Sequence, residues 1–142
     1  MENELYGQVL LDHNMHPFHK HELEGATCFH EGINPSCGDD IVLKLTVRDG
    51  VVTDGAFQGS GCAISQASAD IMLELVIGRS VEEALHLKDL FSKMIEGTIT
   101  DEELEELDEA GALQNVSHMP ARVKCAMLGW RTLETLLKED EK

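Results

Sequence analysis

No stretch of about 18 uncharged apolar residues occurs in the chain, so the sequence offers no membrane-spanning helix. The opening run MENELYGQVLLDHN lacks the basic flank and apolar stretch of a secretory signal, which predicts a cytoplasmic protein. Basic side chains are scarce: 11 Lys and Arg stand against 27 Asp and Glu, for a formal charge of -16. Such a surface repels nucleic acid and anionic membranes and favours solubility or a basic protein partner. The four cysteines, Cys28, Cys37, Cys62 and Cys125, form no C-x-x-C pair, which removes the usual spacing signal for zinc. A cytosolic chain of 142 residues needs no disulfides, so the cysteines read as free thiols or metal ligands. No repeat, low-complexity tract or linker divides the sequence, and residues 1–142 read as a single domain.

What is present is a succession of recognisable elements. Asn3 caps a first helix carrying Leu5, Val9 and Leu10, which ends before Pro17. From Ile41 the run IVLKLTV alternates, with Ile41, Leu43, Leu45 and Val47 on one face, and Asp49-Gly50 is a strong hairpin signal before the return strand VVTDGAF. A strict two-residue turn would set Asp54 opposite Leu45 on the apolar face, so the register stays open. A further strand falls near Ala26 to Phe29. After QGSGC the spacing becomes helical, with Ile64, Ala67, Ile71 and Leu75 on one stripe, stopped by Gly78. Ser80 with Glu83 and Thr100 with Glu103 read as capping boxes. The second opens DEELEELDEAG, an acidic helix closed by Gly111 and read as solvated surface. Pro120 begins a last helix whose buried stripe is Val123, Met127, Trp130, Leu133 and Leu137. Helices flanking one small antiparallel sheet make the class α+β.

Cys37 departs from this pattern. NPSCGDD sets it between a proline turn and two carboxylates, whereas a structural cysteine packs in an apolar element. The hairpin midpoint lies between Asp49 and Gly50, equally far from Cys37 and Cys62, so the hairpin brings both to one end. Cross-strand Cα partners lie roughly 4.5 to 5.5 Å apart, close enough for two thiols beyond the strand ends to share a metal. Cys62 also precedes a helix, whose free N–H groups favour a thiolate. Cys125 falls in the second turn of the last helix, near Arg122, Lys124 and Arg131, and positive neighbours lower a thiol pKa. With that helix packed on the open end of the hairpin, three thiolates and one carboxylate, Asp39 or Asp40, make a four-coordinate site. Zinc accepts such donors, and an iron-sulfur cluster on three thiolates would be partly exposed. His13, His16, His19 and His21 straddle Pro17 and read as a surface turn; Cys28 reads as packed in an edge strand, and His118 as within reach of the site without a role.

The segments NPSCGDD, GSGCAISQASADIM and MPARVKCAMLGW resemble, in order and context, those of the NifU-like or IscU-like iron-sulfur cluster assembly family. The resemblance runs from LYGQVLLDH through the last helix. It implies an α+β fold with a small three-stranded antiparallel sheet packed against several helices, and metal ligands Cys37, Asp39, Cys62 and Cys125. Two departures separate the chain from IscU scaffolds: Lys124 replaces a histidine directly before the third cysteine, and MPARVK replaces LPPVK. An acidic helical insertion around residues 96–111, within the stretch Ser92 to Val116, is a third feature that the scaffold branch lacks. All three resemble the SufU branch. That resemblance implies a Zn2+-bound sulfur acceptor in which Cys37 takes persulfide sulfur from a SufS-like cysteine desulfurase and passes it to downstream scaffold machinery. A desulfurase histidine is implied to replace the departing cysteine on zinc. The alternatives are a scaffold carrying a transient iron-sulfur cluster and a structural zinc-binding domain.

Overall fold

Ile41, Leu43 and Leu45 have no exposed surface, as their alternation along one strand requires. The computed structural model describes residues 2–140, with side chains from Gly7 to Glu139, so the expected Asn3 cap and Leu5 lie outside the described side chains. The order is helix α1 (Glu2–Met15), strands β1 (Cys28–Asn34), β2 (Asp39–Arg48) and β3 (Val51–Ser60), and helices α2 (Ala63–Val76), α3 (Val81–Glu96) and α4 (Asp101–Glu106). A 3₁₀ segment (Asp108–His118) and helix α5 (Pro120–Asp140) complete it. The sheet runs β1-β2-β3 with both pairings antiparallel, so the α+β class holds. Among the described residues no helix is long and apolar enough to cross a membrane.

A bulge settles the hairpin register. Asp49 and Gly50 take φ values of 51° and 75°, the left-handed pair that a two-residue turn between twisted strands demands. The register then shifts between Thr46 and Val47: Val47 faces Val52, Thr46 faces Asp54 and Leu45 faces Gly55. Thr53 is the extra residue, and its hydroxyl donates to the Thr46 carbonyl at 3.1 Å. Asp54 is thereby exposed instead of opposing an apolar side chain.

Helix α2 is the central element. Every residue from Ser65 to Leu73 is buried, a wider surface than the single stripe expected, because α1, α5, β3 and the 3₁₀ segment all pack on it. Its polar side chains include some that are bonded to their covers: the Ser68 hydroxyl donates to the Ala126 carbonyl at 2.7 Å. Against α5 the approach is close. A Cβ on Gly129 would lie 3.3 Å from the Ala69 Cα, so a glycine there lets α5 descend onto α2. Phe91 of α3 stacks on Trp130 of α5 with ring centroids 4.8 Å apart.

Two expectations need correction. Gly111 does not close an acidic helix: α4 ends at Glu106, and Gly111 is buried inside the 3₁₀ segment with Ala110, Leu113 and Val116. Within this acidic run α4 has no fully buried residue, although Leu104 packs against the core, and the apolar residues from Leu107 onward are buried in it. Of the four histidines read as a surface turn, His16 and His21 are exposed as expected and His19 is half-buried, but His13 is not free surface. His13 is 4% exposed and bonds Asp70 Oδ2 and Glu109 Oε2, each at 2.6 Å. Asp70 lies on the buried face of α2 and needs partners for its charge. It also accepts the Phe18 and His19 backbone N–H groups at 3.2 and 2.8 Å, while His19 Nε2 meets Glu74 at 2.6 Å. The expected capping box closes in both directions at Thr100, whereas the Ser80 hydroxyl bonds both the N–H and the carboxylate of Glu83.

Candidate metal centre

The three cysteine segments approach at one end of the sheet. β1 ends at Asn34, residues 35–38 form a turn, and β2 starts at Asp39. Gly38 sits at φ 71°, a backbone setting that a side chain would strain, and this turn presents Cys37 half-buried. Alternation along β2 sends Asp39 into the protein, with no exposed surface, and Asp40 to the opposite face. There Asp40 meets Glu31, whose carboxyl pKa it raises through a hydrogen bond and like charge. Of the two carboxylates, the strand therefore places Asp39, not Asp40, beside the thiols.

Cys125 is buried without exposed surface on α5, and its Sγ donates to Cys37 Sγ at 3.0 Å. Single donor atoms of Cys37, Asp39 and Cys125 all lie within 4.8 Å of one another. Among the described residues this is the one such group of three or more His, Cys, Asp or Glu side chains, and it contains no histidine. His118 and Lys124 are exposed and outside it. Cys62 borders the group. It occupies the N-cap of α2, where its Sγ accepts the Ser65 N–H at 3.4 Å and its own N–H donates to Asp39 Oδ1 at 2.8 Å.

The electrostatics separate the four groups. Burial opposes the charge of Asp39, yet hydrogen bonds from the Cys62 N–H, Cys125, Asn34 and Ser65 outweigh it and hold the carboxyl below its usual range. Burial, then hydrogen bonds with Cys37, Cys62 and Asp39, push the Cys125 thiol far above the ordinary thiol value. Without a cation, Cys125 keeps its proton. Arg122 supplies positive charge at the rim, where its pKa is raised chiefly by a hydrogen bond with Cys125. Cys28, on β1, lies elsewhere, with its Sγ 3.7 Å from the Leu45 carbonyl. Sequence reasoning passed over Asn34 and Ser65, two buried donors to Asp39; the only signal was that Asn34 lies inside NPSCGDD and Ser65 inside GSGCAISQASADIM.

This donor set, thiols with one ionised carboxylate, suits zinc, which takes sulfur and oxygen in closed four-coordinate sites. Residues 5–139 match the model of the NifU-like N-terminal domain. The chain belongs to that family. Among curated NifU-like relatives, an IscU named as an iron-sulfur cluster assembly scaffold protein, from Thermotoga maritima, is 44% identical over 95% of this chain and 94% of its own length. The zinc-dependent sulfurtransferase SufU of Bacillus subtilis is 39% identical, covering 96% of this chain and 92% of SufU. The crystal structure of FiSufU from Fervidobacterium islandicum AW-1, described as an assembly scaffold for the SUF system, superposes with a TM-score of 0.87 at 35% identity, covering 95% of this chain and 98% of FiSufU. This NifU-like chain is thus an iron-sulfur cluster assembly protein of the IscU and SufU type.

Proposed function

We propose that the chain accepts sulfur on Cys37 from a SufS-like cysteine desulfurase and passes it to the cluster-building machinery in the cytoplasm, with Zn2+ held by Cys37, Asp39, Cys62 and Cys125. One observation carries the reading: Cys37 rides half-buried on a turn, whereas Asp39 and Cys125 are locked in a strand and a helix with no exposed surface. Cys62 is half-buried too but is tied at the α2 N-cap by the Ser65 N–H, so Cys37 is the donor freest to leave. A bound zinc supplies the positive charge that keeps the thiols deprotonated at neutral pH.

The residues of the chain do the rest. Cys62 lies at a helix N-terminus, where backbone N–H groups favour a thiolate, and Arg122 places a guanidinium beside the thiols. Asp39 is kept ionised by its hydrogen-bond donors and serves as a harder, more readily exchanged donor than sulfur. In the transfer, the Cys37 thiolate attacks the outer sulfur of the desulfurase persulfide. A new S–S bond forms on Cys37, the S–S bond of the desulfurase breaks, and its cysteine leaves as a thiolate, with no net oxidation. The SufU relative, named as a zinc-dependent sulfurtransferase, supports this reading, as does Lys124 in the position where scaffolds carry histidine.

A second reading, a scaffold for a transient iron-sulfur cluster, is favoured by the IscU relative and by the Cys37 and Cys62 thiols that both hydrogen-bond Cys125. Metal and sulfide analysis of protein purified without air separates the two. The sulfur relay predicts about one zinc per chain and no sulfide, and intact-mass analysis after reaction with desulfurase and cysteine should show an added sulfur that Cys37→Ala abolishes. Uptake of sulfur by that variant would sink the relay, and iron with matching sulfide would establish the scaffold.

A further inference from the structure

Asn34 touches three of the four groups assigned to the centre, although it is not itself one of them. Its backbone carbonyl accepts the Cys37 N–H at 3.3 Å, closing the turn that presents this thiol. Its side-chain nitrogen lies 3.2 Å from Asp39 Oδ2 and 3.7 Å from Cys125 Sγ. The residue is 5% exposed, so no solvent competes for these bonds. The amide orientation follows from chemistry: its oxygen facing a carboxylate would set two acceptors together, whereas the NH2 group has one proton for each neighbour.

The two oxygens of Asp39 are then unequal. Oδ1 accepts the Cys62 N–H at 2.8 Å and the Ser65 hydroxyl at 3.1 Å. Ser65 Oγ also lies 3.0 Å from the Cys62 carbonyl, but its single proton favours the charged oxygen. Both in-plane lone pairs of Oδ1 are thus engaged, whereas Oδ2 carries the bond to Asn34, and the remaining hydrogen bond to this carboxylate comes from Cys125, itself one of the donors assigned to the centre. We infer that Asn34 is the positioning residue of this centre: it ties the Cys37 turn, Asp39 and Cys125 into one donor set and leaves Oδ2 as the oxygen that Asp39 offers to a cation. The inference rests on the metal reading proposed above. Loss of Asn34 frees the carboxylate to rotate and removes a hydrogen bond from the Cys125 sulfur, loosening two donors while the ligand side chains all remain.

The test compares the wild type with Asn34→Ala and with the near-isosteric Asn34→Asp, which turns the donor into an acceptor. Zinc affinity is read by competition with a chromophoric chelator, and the sulfur-to-metal charge-transfer bands are read with cobalt as the probe. Both variants should bind zinc at least about 10-fold more weakly, the usual cost of losing an outer hydrogen-bond partner, with Asp worse than Ala and altered cobalt bands. A folded variant with wild-type affinity and spectrum overturns the inference. Should neither variant fold, exchange of the Asn34 side-chain amide protons in the metal-free wild type decides: slow exchange upholds the tether, and exchange at the free rate removes it. A wild-type chain that binds neither zinc nor cobalt sinks the metal reading, whereas the amide exchange still reports on Asn34.

Discussion

Gly61 shows how tightly single residues are placed around the centre. A Cβ there would lie 2.6 Å from Asp39 Oδ1 and 2.6 Å from Ser65 Oγ, so the position tolerates no side chain while those two groups stay bonded. Gly61→Ala should therefore displace the carboxylate without unfolding the exposed loop that carries it. We expect zinc affinity to fall by about 10-fold, with little change in the melting temperature of the metal-free protein. Unchanged affinity in a chelator competition would show that the Cys62 and Ser65 bonds do not position Asp39. The same scale contains the four cysteines, and their environments divide the labour: Cys125 is buried and holds its proton in the absence of a cation, whereas Cys37 is reachable from solvent.

At the scale of elements, His13 is the joint between α1, α2 and the 3₁₀ segment, through Asp70 and Glu109. Burial disfavours its charge, but hydrogen bonds and charge from the two carboxylates prevail and raise its pKa. A raised folded-state value means that the stabilisation is complete below the unfolded value of about 6.5 and is lost as pH rises through the folded value. Urea unfolding at a series of pH values should show wild-type stability declining on that rise, while His13→Ala lacks this dependence. At pH 6 the variant should be less stable by about 3 kcal/mol, the low end for breaking a buried ion pair, since Asp70 retains two backbone N–H partners. Parallel pH curves for the two proteins would rule out the joint. This contact also gives the acidic segment a structural part, because Glu109 reaches back across 96 residues to α1.

At the scale of the whole molecule, the apolar core lies between the sheet and the helices α2, α3 and α5, apart from the cysteine centre. If zinc is bound as proposed, its chelation should lower the melting temperature by on the order of 10 °C, as removal of a ligand present at about 1,000 times its Kd would, yet leave the helical circular dichroism intact. Collapse of that signal on chelation would instead make zinc a structural element and revive the reading of a structural zinc domain. The α+β class, the hairpin at Asp49-Gly50 and the helix starting at Pro120 were determined by the sequence alone, because turn chemistry, proline and apolar spacing act over a few residues. The grouping of Cys37 and Cys62 at one end of that hairpin was legible for the same reason. Tertiary structure alone decided the bulge at Thr53, the burial of His13 by residues 57 and 96 positions away, and the descent of Gly111 into the core. It also decided the Asn34 tether between Asp39 and Cys125. The last bond spans 91 residues and forms only once Gly129 lets α5 settle on α2, and local sequence carries no record of such a meeting.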